Sequence, residues 1–142
     1  MPTLFSKIID GDLPGRFVWE DDVCVAFLSV QPLTPGHTLV LPREEVDHWL
    51  DASTELRVHL FEVCHIIGSA IQAAFQPTRV GMMIAGMEVP HLHIHLAGID
   101  SLREMEFGNA DASPTPEAMD AAAESIRGVL REMGAEGLST RG

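Results

Sequence analysis

The stretch Pro90-His91-Leu92-His93-Ile94-His95-Leu96-Ala97-Gly98 alternates imidazole with aliphatic side chains. Side chains of a β-strand point to opposite faces in turn, so a strand here sets His91, His93 and His95 on one face and Leu92, Ile94 and Leu96 on the other. Successive histidines then sit roughly 7 Å apart, two rises of ~3.4 Å. The aliphatic face anchors the strand on a core and pins its register, because a slip of one residue would carry three imidazoles inside. The other face can donate, accept, ionise near neutrality or attack an electrophile. On spacing alone three uses stay open: a solvated polar face, a metal site of the zinc type, and a nucleophilic catalytic site.

Outward from this stretch, the chain alternates short apolar runs with two longer helical patterns. Residues 4–9 (LFSKII) form a short helix before the turn signals at Gly11–Gly15. Residues 16–20 and 23–30 are β-branched and aromatic, with Glu20-Asp21-Asp22 between them, and read as a hairpin. The loop 31–37 (QPLTPGH) leads into a third strand, His37–Leu41, ended by Pro42. Leu56, Leu60, Val63, Ile67, Ile71 and Ala74 keep helical spacing over 53–75, with Asp51 or Ser53 as cap and Pro77 as barrier. Residues 79–85 and 91–97 supply two more strands. After a polar connection over 100–114, Thr115 caps a helix running to about Met133, with Pro116 at its first position and Gly134 as stop; its apolar face is Met119, Ala122, Ile126, Val129 and Met133. The expectation is one α+β domain over 1–142, with a five-stranded antiparallel sheet and two main helices.

Composition narrows the function. The chain has 142 residues, 46% apolar, and a formal charge of −12, which excludes a disordered acidic chain and argues against any nucleic-acid polymer as partner. No uninterrupted apolar run approaches bilayer length and the start lacks the layout of a signal peptide, so no membrane partner is expected. Cys24 and Cys64, in apolar contexts, read as buried thiols in a reducing cytoplasm. Seven histidines stand against a single lysine and no tyrosine. His48, His59 and His65 fall in a loop and a helix, where surface or helix-flank roles suffice.

The run His-φ-His-φ-His-φ-φ, with φ apolar, resembles the signature of the histidine triad (HIT) family. The likeness continues in register: Phe5-Ser6-Lys7-Ile8-Ile9 with Gly11 and Pro14 looks like the start of Hint-type members, Trp19-Glu20-Asp21-Asp22 and Ala26-Phe27 like the following hairpin, and Pro35-Gly36-His37-Thr38-Leu39-Val40-Leu41-Pro42 like the strand with the separate upstream histidine. It spans residues 4–98; the polar loop and helix of 99–142 have no placed counterpart and read as packing or dimer contacts rather than a lid. The resemblance implies a HIT-like fold, a homodimer with adjoining sheets, and binding of a purine mononucleotide or nucleotide conjugate. It implies a hydrolase or transferase acting at the α-phosphorus of a nucleoside phosphoramidate or dinucleoside polyphosphate. By motif, His93 is the nucleophile that forms a nucleotidyl-histidine, with a backbone carbonyl near the third histidine fixing its tautomer. His91, His95 and His37 orient it and steady the phosphate, and Leu4, Phe5, Ile8, Phe27 and Val30 wall the base and ribose. No cofactor is required.

Three departures from the pattern stand out. Ser29 occupies the place of an aspartate that bonds the ribose hydroxyls. A compact Met82-Met83-Ile84-Ala85-Gly86 replaces a glycine-rich loop with asparagine. Met87-Glu88 replaces a phosphate-donating Gln-Ser/Thr pair. A carboxylate 4 Å from a phosphate repels it by about 4 kcal/mol at an effective dielectric of 20. Strand parity, if it survives Pro90, turns Glu88 away from the histidines. Otherwise Glu88 selects a cationic amine leaving group, or joins His91, His93 and His95 as a zinc ligand, an alternative to the expected metal-free site. A non-catalytic nucleotide-binding module is the third alternative. Positive potential at the pocket must then be local, from imidazoles, Lys7 or backbone N–H groups.

Overall fold

A computed structural model describes residues 2–141; residues 1 and 142 of the expected domain lie outside the described residues. Helix α1 (Leu4–Ile9) precedes β1 (Phe17–Glu20), β2 (Cys24–Leu28) and β3 (Thr38–Pro42). Helix α2 (Thr54–Phe75), β4 (Arg79–Met83), β5 (Ile94–Ile99) and α3 (Pro116–Glu132) follow. The five strands form one antiparallel sheet in the order β1-β2-β3-β5-β4. The fold is α+β, as the patterning predicts.

Both faces of the central strands are covered. Val18, Ala26, Val40, Ile94 and Leu96 pack with Leu60, Ile67 and Ile71 of α2 and Ile126 and Leu130 of α3 in the main core. On the opposite face Phe17, Val25, Phe27, Leu39 and Leu41 pack beneath Phe5, Ile8 and Ile9 of α1. The six-residue α1 is too short to persist alone and is held by this apolar contact and by Thr3, whose hydroxyl accepts from the Ser6 N–H. Ser53, not Asp51, caps α2. On α3, Leu130 is buried and Met133 half-exposed, because the helix ends at Glu132 and its inward stripe runs Met119-Ala122-Ala123-Ile126-Leu130.

Length and composition alone would let α2 cross a membrane, a point that counting uninterrupted apolar runs misses. Its Leu56, Leu60, Val63, Cys64, Ile67, Ala70 and Ile71 instead lie buried in this domain. The last residues return to the sheet edge. Glu20 N–H donates to Gly137 carbonyl at 2.8 Å and Ser139 N–H to Val18 carbonyl at 3.2 Å, which shields β1 from edge pairing.

The strand that decides the fold is shorter than its alternation implies. Pairing begins at Ile94, with Leu39 opposite His95 and Met83 opposite His95 on the other side. Pro90 cannot donate to a ladder, His91 N–H turns back to Val89 carbonyl at 2.8 Å, and Leu92 N–H donates to Val46 carbonyl at 2.6 Å. His91 and His93 therefore precede β5. Likewise the second and fourth strands stop at Leu28 and Met83.

Candidate active site

All four motif histidines are buried, His91 and His37 almost completely; none forms the solvent-facing row that alternation alone suggests, because α1 lies over that face. Their hydrogen bonds assign each ring a tautomer. Leu33 N–H donates to His37 Nδ1 at 2.9 Å, so the His37 proton is on Nε2. That nitrogen is 2.9 Å from His95 Nδ1 and donates to it, which leaves the His95 proton on Nε2. His91 Nε2–H donates to Pro42 carbonyl at 2.8 Å, and the Thr3 hydroxyl donates to His91 Nδ1 at 2.7 Å. His93 Nδ1–H donates to the His91 carbonyl at 2.7 Å, which leaves Nε2 with a free lone pair. The tautomer-fixing carbonyl is thus that of the first triad histidine rather than one near the third. The turn ahead of β5 brings it within reach of the second.

Burial disfavours the charged form of His37, His93 and His95. It pushes His37 down to about 3, with His95 and His93 adding to the effect. His95 falls to about 4 through burial and the neighbouring His93. Burial also lowers His93, against the opposing pull of its bond to the His91 carbonyl. Of the local sources of positive potential named above, imidazoles, Lys7 and backbone N–H groups, Lys7 does not line the cleft and burial disfavours charge on His37, His93 and His95.

Leu4, Phe5, Ile8, Phe27, Ser29 and Val30 line one cleft of about 730 Å³ together with His37, His93, His95 and Glu88, within the range of small-molecule sites. Val30 sits at the rim, 70% exposed. Two expected members are elsewhere: His91 lies behind the wall, bonded to Thr3 and Pro42, and Met87 is 88% exposed and does not line the cleft. Glu88 faces the cleft, close enough to act electrostatically on His93. Residues 87–92 are not strand, so no alternation turns it away.

Sequence reasoning missed Arg16, Phe107, Met119 and Asp120, which also line the cleft. The 99–142 segment therefore packs α3 on the core, as expected, and also supplies part of the cleft wall. Only Ser29 at a normally acidic position hinted that another element would have to complete the site.

The set His91, His93, His95 and Glu88 does not converge as metal ligands. Both His91 nitrogens are engaged, and among the described residues only Asp21, Cys24 and His59 bring three ligand atoms within 4.8 Å of one another. That trio is already satisfied. Asp21 Oδ1 accepts from Val23 and Cys24 N–H and Oδ2 from Trp19 Nε1 and His59 Nε2, each at 2.8 Å. Burial alone would raise the Asp21 carboxyl; these bonds bring it down to about 2. Burial pushes the Cys64 thiol up to about 12 and Cys24 further still. His48 caps a short 3-10 turn and His65 is exposed, both in the roles their positions imply.

Gly36 sets the entry to His37. Its φ of +88° is a left-handed conformation, and a Cβ there would lie 2.4 Å from a Phe75 ring carbon. Gly36→Ala is expected to lower stability by about 2 kcal/mol or more, since strain and overpacking add. Urea denaturation checks this; an unchanged midpoint would mean the loop relaxes freely.

A family model described as HIT domain matches residues 10–102. The chain belongs to the histidine triad family. An uncharacterized HIT-like protein of Borreliella burgdorferi is 37% identical over 100 residues, covering 66% of this chain and 72% of that protein. A Hit-like protein from Bartonella henselae, solved with an unknown ligand, superposes with a TM-score of 0.77 at 31% identity, covering 90% of this HIT protein and 96% of the other. A HIT family hydrolase from Legionella pneumophila gives 0.59 at 27% identity, over 68% and 92% of the two chains. The family match ends at residue 102, so Phe107, Met119 and Asp120 are contributions from beyond it.

Proposed function

We propose that this HIT protein binds a purine mononucleotide moiety and is a hydrolase or transferase at its α-phosphorus, acting on a nucleoside phosphoramidate or dinucleoside polyphosphate. The observation that carries the reading is the 2.7 Å bond from His93 Nδ1 to the His91 carbonyl. It holds the free lone pair on Nε2, the form that attacks phosphorus, and burial keeps that nitrogen unprotonated at neutral pH. The bond from His93 to phosphorus forms as the bond to the leaving group breaks. Water or another acceptor then attacks the nucleotidyl-histidine and returns the electron pair to Nε2. His95 offers its Nε2–H to a phosphoryl oxygen, and His37 holds it in that tautomer from behind. The hydrolase among the similar structures supports a catalytic reading over a binding module.

No step uses a metal or other cofactor. A homodimer is part of the proposal: β4 is a sheet edge, with Met82 and Ile84 exposed on and beside it, and light scattering at micromolar concentration tests it. A cytoplasmic setting, supported by two buried free thiols, completes the reading.

Acid-quenched mixtures with adenosine 5′-phosphoramidate and with diadenosine polyphosphates test the chemistry by mass spectrometry. The expected result is one nucleoside monophosphate on the peptide that carries His93. AMP binding with neither adduct nor product would instead establish a binding module.

A further inference from the structure

The charged lining of the cleft is sparse and one-sided. Apart from histidines, its ionisable side chains are Arg16, Glu88 and Asp120. Arg16 Nε lies 2.7 Å from Asp120 Oδ1, so that pair neutralises itself. The chain Leu33 N–H to His37 to His95 holds those two rings in neutral tautomers, and the burial of His93 disfavours its charged form against the opposing pull of its bond to the His91 carbonyl. Glu88 remains; it is exposed and, among the described residues, forms no ion pair. The cleft thus offers an incoming substrate one uncompensated carboxylate and no uncompensated cation. An anionic leaving group such as a second nucleotide meets repulsion there, and a cationic one meets attraction.

Four rings line the cleft in successive contact. Phe5, His93, His95 and Phe107 follow one another with centroid separations of 4.8, 5.0 and 5.1 Å. Phe5 belongs to the wall it shares with Ile8 and Phe27, whereas Phe107 comes from a separate loop and sits against the His95 ring. Its loop is tied down: Glu104 accepts from Asp100 N–H at 2.6 Å, Asn109 Nδ2 donates to Arg103 carbonyl at 2.8 Å, and Asp111 N–H donates to Pro32 carbonyl at 2.9 Å. Phe107 nevertheless leaves 49% of its surface exposed. A fixed, half-exposed ring in the wall of a cleft is a contact surface for an apolar chain or for a cation over its face.

Resting on the nucleotidyl-transfer reading above, we propose that this HIT protein selects nucleoside 5′-phosphoramidates whose amine part has an apolar body and a second, cationic group, with Glu88 receiving the cation and Phe107 the body. In the reaction His93 Nε2 bonds phosphorus as the phosphorus–nitrogen bond breaks. The departing nitrogen keeps the bonding pair and takes a proton from water at the open cleft. A second water attacks phosphorus, gives up a proton to solvent, and the Nε2 pair returns to His93, so one water is consumed overall. The distal cation recognised by Glu88 is unchanged throughout.

The test compares adenosine 5′-phosphoramidates of 1,5-diaminopentane, pentylamine and 5-aminopentanoate, tails of one length with positive, zero and negative charge. The unsubstituted phosphoramidate serves as reference. The ratio of kcat/KM between positive and negative tails is the readout. It is expected to be about tenfold or more in the unsubstituted protein, a difference of ~1.4 kcal/mol, and to shrink at high salt. Glu88→Gln should bring the tails together and Glu88→Lys should invert their order. Phe107→Ala should weaken selection of all three tails against the reference. Equal tails in the unsubstituted protein, or a ratio unmoved by either Glu88 change, overturns the selectivity alone if the reference substrate is still turned over. Absence of that turnover overturns the transfer reading with it.

Discussion

His93→Gln lowers single-turnover transfer by roughly 10,000-fold or more, the scale on which loss of a nucleophile removes covalent catalysis, while AMP affinity stays within a few-fold. Glutamine is the informative substitution. Its amide N–H can still donate to the His91 carbonyl, so the turn before β5 keeps the bond that the imidazole makes at 2.7 Å. It also keeps most of the contact with Phe5, whose ring centroid lies 4.8 Å from that of His93. What it cannot supply is a basic nitrogen toward phosphorus. The nucleotide walls Phe5, Ile8 and Phe27 belong to other elements and remain, which is why binding is expected to persist. Rapid-quench kinetics and calorimetric titration with AMP check the two halves separately. Turnover within tenfold of the parent, or an adduct that still forms on another residue, would sink the assignment of His93 as nucleophile.

Acid is expected to weaken the protein between pH 7 and pH 4, with His37 and His95 contributing to the loss. The sign follows from where protons bind. In the unfolded chain these histidines take up protons below about 6.5. In the folded protein burial holds His37 to about 3 and His95 to about 4. Between those limits the unfolded state binds more protons, so their full contribution is present above about 6.5 and declines as pH falls toward 4. His37→Gln removes one of the two groups and can still donate to His95 Nδ1, so its stability should fall less steeply over the same range. Urea unfolding at several pH values from 7 to 4 measures both slopes; parallel slopes would show that His37 is protonated in the folded protein. Catalysis shares the direction. With His93 lowered by burial, the acidic fall in kcat/KM should lie at lower pH than that of an ordinary imidazole.

The parts of the site that were legible in the sequence are those where local chemistry leaves one choice. Alternation at 92–96 sends Leu92, Ile94 and Leu96 to the main core, and they are there. The match over Pro35-Gly36-His37 singled out His37, and the structure sets it beside His95 after a left-handed Gly36. Glu88 shows the opposite case. Parity arguments require a continuous strand, and Pro90 with the His91 turn to Val89 breaks it, so the side chain faces the cleft. Met87, its neighbour, faces solvent for the same reason.

The sequence by itself determined the family and the five-stranded sheet, because periodicity and motif spacing are local and survive without knowledge of contacts. Only the tertiary structure decided which carbonyl fixes the His93 tautomer, that His91 supports from behind rather than lining the cleft, and that burial disfavours charge on His37, His93 and His95. It also decided that Phe107, Met119 and Asp120 reach the site from a segment more than ten residues beyond the triad. The physical reason is common to all of these. Proton position, burial and charge balance depend on what is packed within a few ångströms, and α1, α3 and the Pro42 carbonyl come to the histidines from stretches that no spacing rule connects to them.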